Sequence, residues 1–406
     1  MNNKFDEMAK GLAQSVTRWQ ALKRFGVGLA GMALALGLCL SASANNPTLG
    51  PLIELSRPNP VGTCDDGFRL PGTMTVNDAA EPILAVNPAN PNNIVSAWIQ
   101  GPLQNNVAAV SLDGGATWKQ VPLPYSVCSG GTFQGAGDPW VSFAPNGDLY
   151  CLAITGPSPA NTYAAVTKST DGGLHWSAPI ILDSPPLSPD KTTLTADTFD
   201  ARFVYAAWIR LPVKNKSALT FSRTTDGGVS WEPSRVIYET VPGQQAFNTQ
   251  ILVLPDGTLV DIFYHQFEKN NGAATQLVIQ LMRSSDKGQT WSAPIPAVAM
   301  ETILRSDNTG YTLTVDPDNG QLVRDTTNPS FAVDSRNGNL YAVWEDGRFS
   351  NFQYNDIAFS MSSDEGFTWS APIRINQTPF NSAPLNRQAF YPVIAVGLDG
   401  TIGVTY

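Results

Sequence analysis

Asp113, Asp171, Asp226, Asp286 and Asp364 share one local setting. Each stands two residues after a Ser or Thr, two before a Gly and five before a Trp, as in "SLDGGATW" and "STDGGLHW". A carboxylate, a hydroxyl and backbone N–H groups crowded into one loop could hold a cation, cradle a phosphate or turn the chain. A calcium loop needs several oxygen ligands at alternating positions, and only one carboxylate recurs here. A phosphate or catalytic loop is seldom needed five times. From Trp118 the next copies follow after 58, 55, 60 and 78 residues, at Trp176, Trp231, Trp291 and Trp369. Self-similarity at that period marks a repeat architecture. The physics of a turn fits each part of the motif. Gly115, Gly173, Gly228, Gly288 and Gly366 supply positive φ at no steric cost, the Asp accepts from N–H groups of its own turn, and the Trp packs on a neighbour. Each copy therefore reads as a structural hairpin staple, with His175 an exposed turn residue inside the second.

Other chemistries have little to draw on. His175 and His265 are the two histidines of the chain, too few for a His-rich metal site or a Ser-His-Asp triad. Neither metal nor cofactor is expected. Residues 1–44 read as an export signal: Arg18, Lys23 and Arg24 precede the apolar run "FGVGLAGMALALGLCL", and "SASA" ends in a small-residue cleavage pattern. "TRWQALKRF" resembles the twin-arginine signal, with Trp19 in place of the second arginine. The run is too short and too well flanked for a spanning helix, so no membrane attachment is expected once the signal is gone. Its five basic and two acidic residues leave 20 Lys+Arg against 32 Asp+Glu, a net of −12. Such a surface disfavours nucleic acid and anionic membranes as partners. Cys39 leaves with the signal, and bulky Leu38 spoils "LGLC" as a lipoprotein box. Of the three remaining thiols, Cys151 lies in the apolar run "LYCLAI", whereas Cys64 and Cys128 lie in Gly-containing loops and are expected to pair in an oxidising compartment.

Between the staples a strand–turn–strand frame recurs at 81–100, 138–155, 190–210, 248–265, 328–346 and 391–406, rich in Val, Ile, Tyr, Trp and Phe around Asn/Asp/Gly/Pro turns. No stretch after residue 44 keeps a helical period. Each unit is thus a hairpin A–B followed by a hairpin C–D with the staple at its turn, and four-stranded units repeated radially make a β-propeller. Six A–B hairpins against five C–D hairpins predict an all-β, six-bladed propeller over 80–406 whose sixth blade is incomplete. Residues 45–79 form an N-terminal segment, in which "PLIELSRP" could supply a ring-closing strand, and 292–327 reads as a long loop with a small hairpin of its own. The A–B and C–D turns share one face, so function belongs on the other. There the A-strand heads are Glu81, Asp138, Asp190, Asn248, Asn328 and Tyr391, and the B-strand ends carry Gln100, Arg210, His265, Glu345, Asp346 and Arg348. A mouth lined this way suits a polyol or glycan. The bland alternative is a solvated rim of strand-capping Asp and Asn.

Five copies of S/T-x-D-x-G-x-T/S/H-W, with "WEDGR…NDIAFSMSSDEGFTWSAP", resemble the Asp-box (BNR) repeat of the sialidase superfamily and its exported bacterial members. The resemblance implies a glycan partner. In a retaining sialidase three arginines hold the substrate carboxylate, a Tyr assisted by a Glu is the nucleophile and an Asp is the acid/base. Carried onto this chain, it makes Arg324, Arg348 and Arg387 a possible trio, with Tyr354 and Glu345 as neighbours. The first A strand, however, opens "EPILAV", an acidic residue where the family has an arginine, and Glu81 and Asp138 would repel a sialic acid. The expectation is a glycan-binding face without sialic-acid hydrolysis. The alternative is an exo-α-sialidase or related hydrolase of acidic glycans.

Overall fold

The computed structural model describes residues 51–64, 78–101, 105–159, 161–183, 189–210, 216–267, 276–303, 305–306, 312–315, 322–324, 328–377 and 389–406. Five four-stranded antiparallel sheets follow one another along the chain. The first holds β1 (Ala79–Val86), β2 (Ile94–Gln100), β3 (Asn105–Ser111) and β4 (Lys119–Pro122). The second holds β5 (Gly135–Phe143), β6 (Leu149–Ser158), β7 (Asn161–Ser169) and β8 (Ile180–Ile181). The third holds β9 (Pro189–Ala196), β10 (Val204–Arg210), β11 (Ala218–Thr224) and β12 (Arg235–Glu239). The fourth holds β13 (Gln244–Val253), β14 (Leu259–Phe267), β15 (Gln276–Ser284) and β16 (Ile295–Met300). A small sheet of β17 (Arg305–Ser306), β18 (Thr312–Val315) and β19 (Leu322–Arg324) precedes the fifth blade, β20 (Ser330–Val333), β21 (Leu340–Asp346), β22 (Asp356–Ser362) and β23 (Ile373–Arg374). The hairpin β24 (Val393–Val396) and β25 (Ile402–Thr405) completes the described order.

Apolar side chains along the second strands pack each blade against the next. Leu149, Cys151 and Ala153 meet Val95, Ala108 and Val110 between the first two blades. Val204, Ala206 and Trp208 meet Leu152 and Val166 across the next seam. Leu340, Ala342 and Trp344 meet Val260 and Ile262 between the fourth and fifth. These face-to-face seams, each a closed apolar layer, are what hold a propeller together.

Two expectations change. The described residues form five four-stranded blades, not six with a partial last one. The sixth A–B frame is a two-stranded hairpin laid on the fifth blade through Ile394, Val396 and Val404, and no third strand pairs with β25 among the described residues. Leu84 and Val86 of β1, and Val393 of β24, are correspondingly half exposed. Residues 51–64 form no strand and close no ring: Leu55 packs beside Trp98 and Trp118, and its carbonyl accepts from Gln120 Nε2 (2.7 Å), against the outer strand of the first blade. Three prolines in that stretch lack the N–H a ladder needs. Cys64 and Cys128 are bonded, and Cys151 is free and buried.

The five staples share one hydrogen-bond scheme. In the first, Ser111 Oγ donates to Asp113 Oδ1 (2.8 Å) and accepts from Gly115 N (2.8 Å), while Thr117 gives its N–H to Oδ1 (2.8 Å) and its hydroxyl to Oδ2 (2.6 Å). His175 replaces that hydroxyl in the second, with Nδ1 2.6 Å from Asp171 Oδ2. Trp118, Trp176 and Trp369 donate Nε1 to the carbonyl of Gly115, Gly173 and Gly366. In the fourth, Arg235 takes the Gly288 carbonyl, and the buried Trp291 Nε1 has no partner. The staples also join blade to blade. Asn93 donates to the Gly172 carbonyl (3.0 Å), Tyr150 and Lys168 to Gly227 (both 2.8 Å), Arg223 to Lys287 (2.6 Å), and Arg283 to Glu365.

Candidate glycan-binding mouth

The opposite rim is built on a repeated distortion of the innermost strands. Antiparallel pairing slips between Ala80 and Ile83, between Gly137 and Trp140, across from Trp208 in the third blade, and between Phe247 and Gln250. Two residues there oppose one, which is a β-bulge. At the crown of each lies a non-glycine residue in the left-handed region: Glu81 (φ 52°), Asp138 (48°), Lys191 (50°) and Asn248 (53°). Tyr391 (54°), just before β24, repeats the conformation. Such backbone costs of order 1–3 kcal/mol per residue and persists where the surroundings over-determine it, commonly at functional sites. Of the A-strand heads read from the sequence, Glu81, Asp138, Asn248 and Tyr391 share this conformation and Asn328 does not, and the third blade needs a correction. In the third blade the crown is Lys191, not Asp190. Asp190 stays paired with Ile209, and its Oδ1 accepts from Lys191 N (3.0 Å). The dipeptides Glu-Pro, Asp-Pro, Lys-Thr, Asn-Thr and Tyr-Pro at the crowns carry the correct alignment: Pro or Thr follows each.

The mouth has a charged half and an amide half. Lys191 Nζ lies 3.6 Å from Glu81 Oε1, and Lys191 N donates to Asp138 Oδ2 (3.3 Å). Thr192 Oγ1 donates to the Asp138 carbonyl (2.7 Å). Burial pushes the Asp138 carboxyl above its ordinary range and the Asp190 charge adds to this, while Lys191 and a hydrogen bond to Glu81 pull the other way. On the other half Asn248 Nδ2 donates to Asn328 Oδ1 (2.9 Å). Tyr391 N donates to the buried Glu345 Oε1 (3.0 Å). Among the described residues no group of three or more His, Cys, Asp or Glu is gathered to hold a metal ion.

The B-strand ends stand behind this ring as a structural layer. Gln100 is buried, accepting from Trp98 Nε1 (2.9 Å) and donating to the Asp78 carbonyl (3.1 Å). Arg210 grips Asp183 with Nε (3.1 Å) and Nη2 (2.8 Å), and Trp208 Nε1 donates to the same carboxylate (3.1 Å). Asp346 repeats the pattern in the fifth blade: it accepts from Trp344 Nε1 (2.7 Å), from Glu301 N (3.0 Å), and from Arg348 through Nε (2.7 Å) and Nη2 (2.8 Å). Arg348 also donates to the Ala299 carbonyl (2.6 Å). Its Nε–Nη2 edge is taken by Asp346, so that edge is closed to a substrate carboxylate. Arg324 lies in β19 of the small sheet, and Arg387 falls outside the described residues. Tyr354 lies in the loop before β22, where its carbonyl accepts from Ser350 Oγ. His265 is buried, stacked on Phe267 (4.1 Å between ring centres) and within 3.3 Å of Gln280 Oε1. It belongs to the seam below the mouth. Asp183, the partner of Arg210, had no distinguishing signal in the sequence.

No family model and no curated protein matches the chain. Solved structures do. An α-L-arabinofuranosidase from Fusarium graminearum aligns over 81% of this chain and 87% of its own at 13% identity, with a TM-score of 0.53. An α-L-arabinanase from Penicillium chrysogenum, solved with arabinobiose, aligns over 83% and 95% at 13% identity, TM-score 0.53. The fold is a sialidase-like β-propeller. A sialidase from Streptococcus pneumoniae aligns with it over 83% of this chain and 66% of its own, at 12% identity and a TM-score of 0.51. At such identities the likeness of this sialidase-like propeller is one of fold.

Proposed function

We propose that this sialidase-like propeller is an exported protein that binds glycans at the mouth formed by Glu81, Asp138, Lys191, Asn248 and Asn328, and that it does not hydrolyse sialosides. One observation carries the reading: the left-handed bulge recurs in the inner strands and turns donors and acceptors of both kinds onto one rim. A sugar presents vicinal hydroxyls, each able to give and to take a hydrogen bond, and the mouth answers both needs. Glycoside hydrolysis normally needs two carboxyl groups about 5–9.5 Å apart, flanking the scissile bond. Glu81 and Asp138 are instead gathered around one residue, Lys191, whose Nζ lies 3.6 Å from Glu81 Oε1 and whose N–H donates to Asp138 Oδ2 (3.3 Å). Negative charge there and the engaged Arg348 both disfavour a sialic acid carboxylate. The net charge of the mature part disfavours nucleic acid as the natural partner.

The test is calorimetric titration of the secreted protein with neutral arabino-oligosaccharides and with sialyllactose, beside a fluorogenic sialoside assay. Binding of a neutral oligosaccharide, weakened by Asp138→Asn, with no sialoside turnover is the expected result. Robust sialoside cleavage would overturn the reading.

A further inference from the structure

Asp261 occupies an unusual place in the seam between the third and fourth blades. Along β14, Leu259 and Phe263 face the third blade, packing on Tyr205 and Phe221 and on Ile209 and Leu219. Asp261 lies between them on the same face and is fully buried. The ladder register gives its counterparts in the other blades. Asp261 pairs with Ile251, as Cys151 pairs with Val141, Ala206 with Leu194, Ala342 with Phe331 and, in the first blade, whose corresponding face meets no earlier blade among the described residues, Ser96 with Leu84. Where the other seams carry a thiol or a methyl group, this one carries a carboxyl.

That carboxyl is tied to the mouth. Thr249 Oγ1 donates to Asp261 Oδ1 (2.6 Å), and Thr249 is the second residue of the bulge that presents Asn248. Asp261 Oδ2 is buried with no hydrogen-bond partner. The groups facing it offer no countercharge. From the third blade come Tyr205, Ala207, Ile209, Leu219 and Phe221, of which Tyr205 alone titrates, and its hydroxyl is committed to Asp197 (2.8 Å). From β15 comes Met282, opposite in the ladder, and on β14 itself His265 is held against Gln280. Arg223, beyond Phe221, pairs with Glu232 (2.9 Å). Burial accordingly raises the Asp261 carboxyl to about 7, opposed only by the Thr249 hydroxyl.

We propose that the seam between the third and fourth blades is a proton-operated joint governed by Asp261. A neutral Asp261 keeps the seam shut and Asn248 in register with Lys191 across the mouth; an ionised one parts the two blades. A buried carboxylate with one bare oxygen is relieved by water, and water enters this layer only if the blades separate. Thr249 does not let go, because its hydroxyl bonds a carboxylate at least as well as an acid. The bulge therefore moves with β14, and the amide half of the mouth shifts against the charged half. As regulation of glycan binding this rests on the preceding reading, whereas the joint itself does not. The sign follows from linkage. A folded-state value raised above the ordinary 3.8 gives stability that is complete below that value and is lost as pH rises toward about 7.

Hydrogen–deuterium exchange on the full, ligand-free protein at about pH 6 and about pH 8, corrected for intrinsic rates, reads the joint directly. Ala246 N donates to Ser217 Oγ across the seam (2.7 Å) and reports its mouth end. From a folded value of about 7 and an ordinary value in the open form, protection at Ala246 and along β13 should fall about tenfold between those pH values, while β6 holds steady. Asp261→Asn, and Asp261→Ala with the side chain of the third and fifth blades, should each abolish the pH dependence. Equal protection at both pH values in the natural protein, or the same loss in either variant that folds, would overturn the joint. Failure to bind any glycan would leave the joint intact and count against the preceding reading alone.

Discussion

The two rims of the ring hold their acidic side chains in opposite states. On the staple rim Asp113, Asp171, Asp226 and Asp286 are driven down to about 2, each serving as acceptor to hydroxyl and amide donors, or to an imidazole, from within five residues. On the mouth rim Asp138 is driven up, by burial among strands from three blades and by a neighbouring carboxylate. The first arrangement is made by the local chain and repeats with it. The second exists only once distant segments have met, and it differs from blade to blade. A carboxylate that surrounds itself with its own donors is spent on structure, and one whose environment resists its charge retains chemistry for a ligand.

The sharpest break of this contrast is at the mouth. Asp138→Asn, or Glu81→Gln, should weaken neutral-oligosaccharide binding by about 10- to 100-fold, the range for losing a hydrogen bond to a charged group. The melting temperature should hardly move. A loss of stability with binding retained would make Asp138 a staple in disguise. On the other rim Asp171→Ala should lower unfolding stability by about 1 kcal/mol, the low end for lost acceptors because its carboxylate is partly open to water. Glycan affinity should stay within a factor of two or so of wild type, and calorimetric titration against thermal unfolding separates the two. The rims should also part on acidification. Carboxylates held below their ordinary value contribute stability above about pH 4 that is lost as pH falls toward 2, so a fluorescence-monitored acid titration should show the staples failing only in that window. Unfolding well above pH 4 would place the weakness elsewhere. The smallest effect concerns the odd staple: His175→Thr restores the hydroxyl of its four counterparts on an exposed turn, and should change stability by no more than about 0.5 kcal/mol.

The sequence was legible where contacts are local. Five staples, their common face and the strand order within each blade follow from residues a few positions apart. The A-strand heads were legible to within one residue, Lys191 in place of Asp190, because a bulge adds a residue that an alternation pattern does not count. Six blades were expected because A–B hairpins were tallied as blades, whereas β25 has no further strand beside it among the described residues. Arg348 looked like a receptor because a guanidinium two residues from a carboxylate gives no hint of whether the pair is satisfied internally. Asp261 was invisible for the opposite reason: within "TLVDIFYH" it resembles any polar residue on the solvent side of a strand, and only the packed neighbouring blade makes its position exceptional.

Four of the bridges that meet a staple turn run one way. The carbonyl in a later blade is met by a side chain of the earlier one, from Asn93 to Gly172, Tyr150 to Gly227, Arg223 to Lys287 and Arg283 to Glu365. A ribosome releases the earlier blade first. Each of these four turns therefore arrives at a dock whose donor is already in place, whereas the buried Asp197 of the third blade gains the Lys287 ammonium (2.8 Å) only with the fourth staple. At those four contacts the order of the donors matches the order of synthesis, from the amino-terminal side.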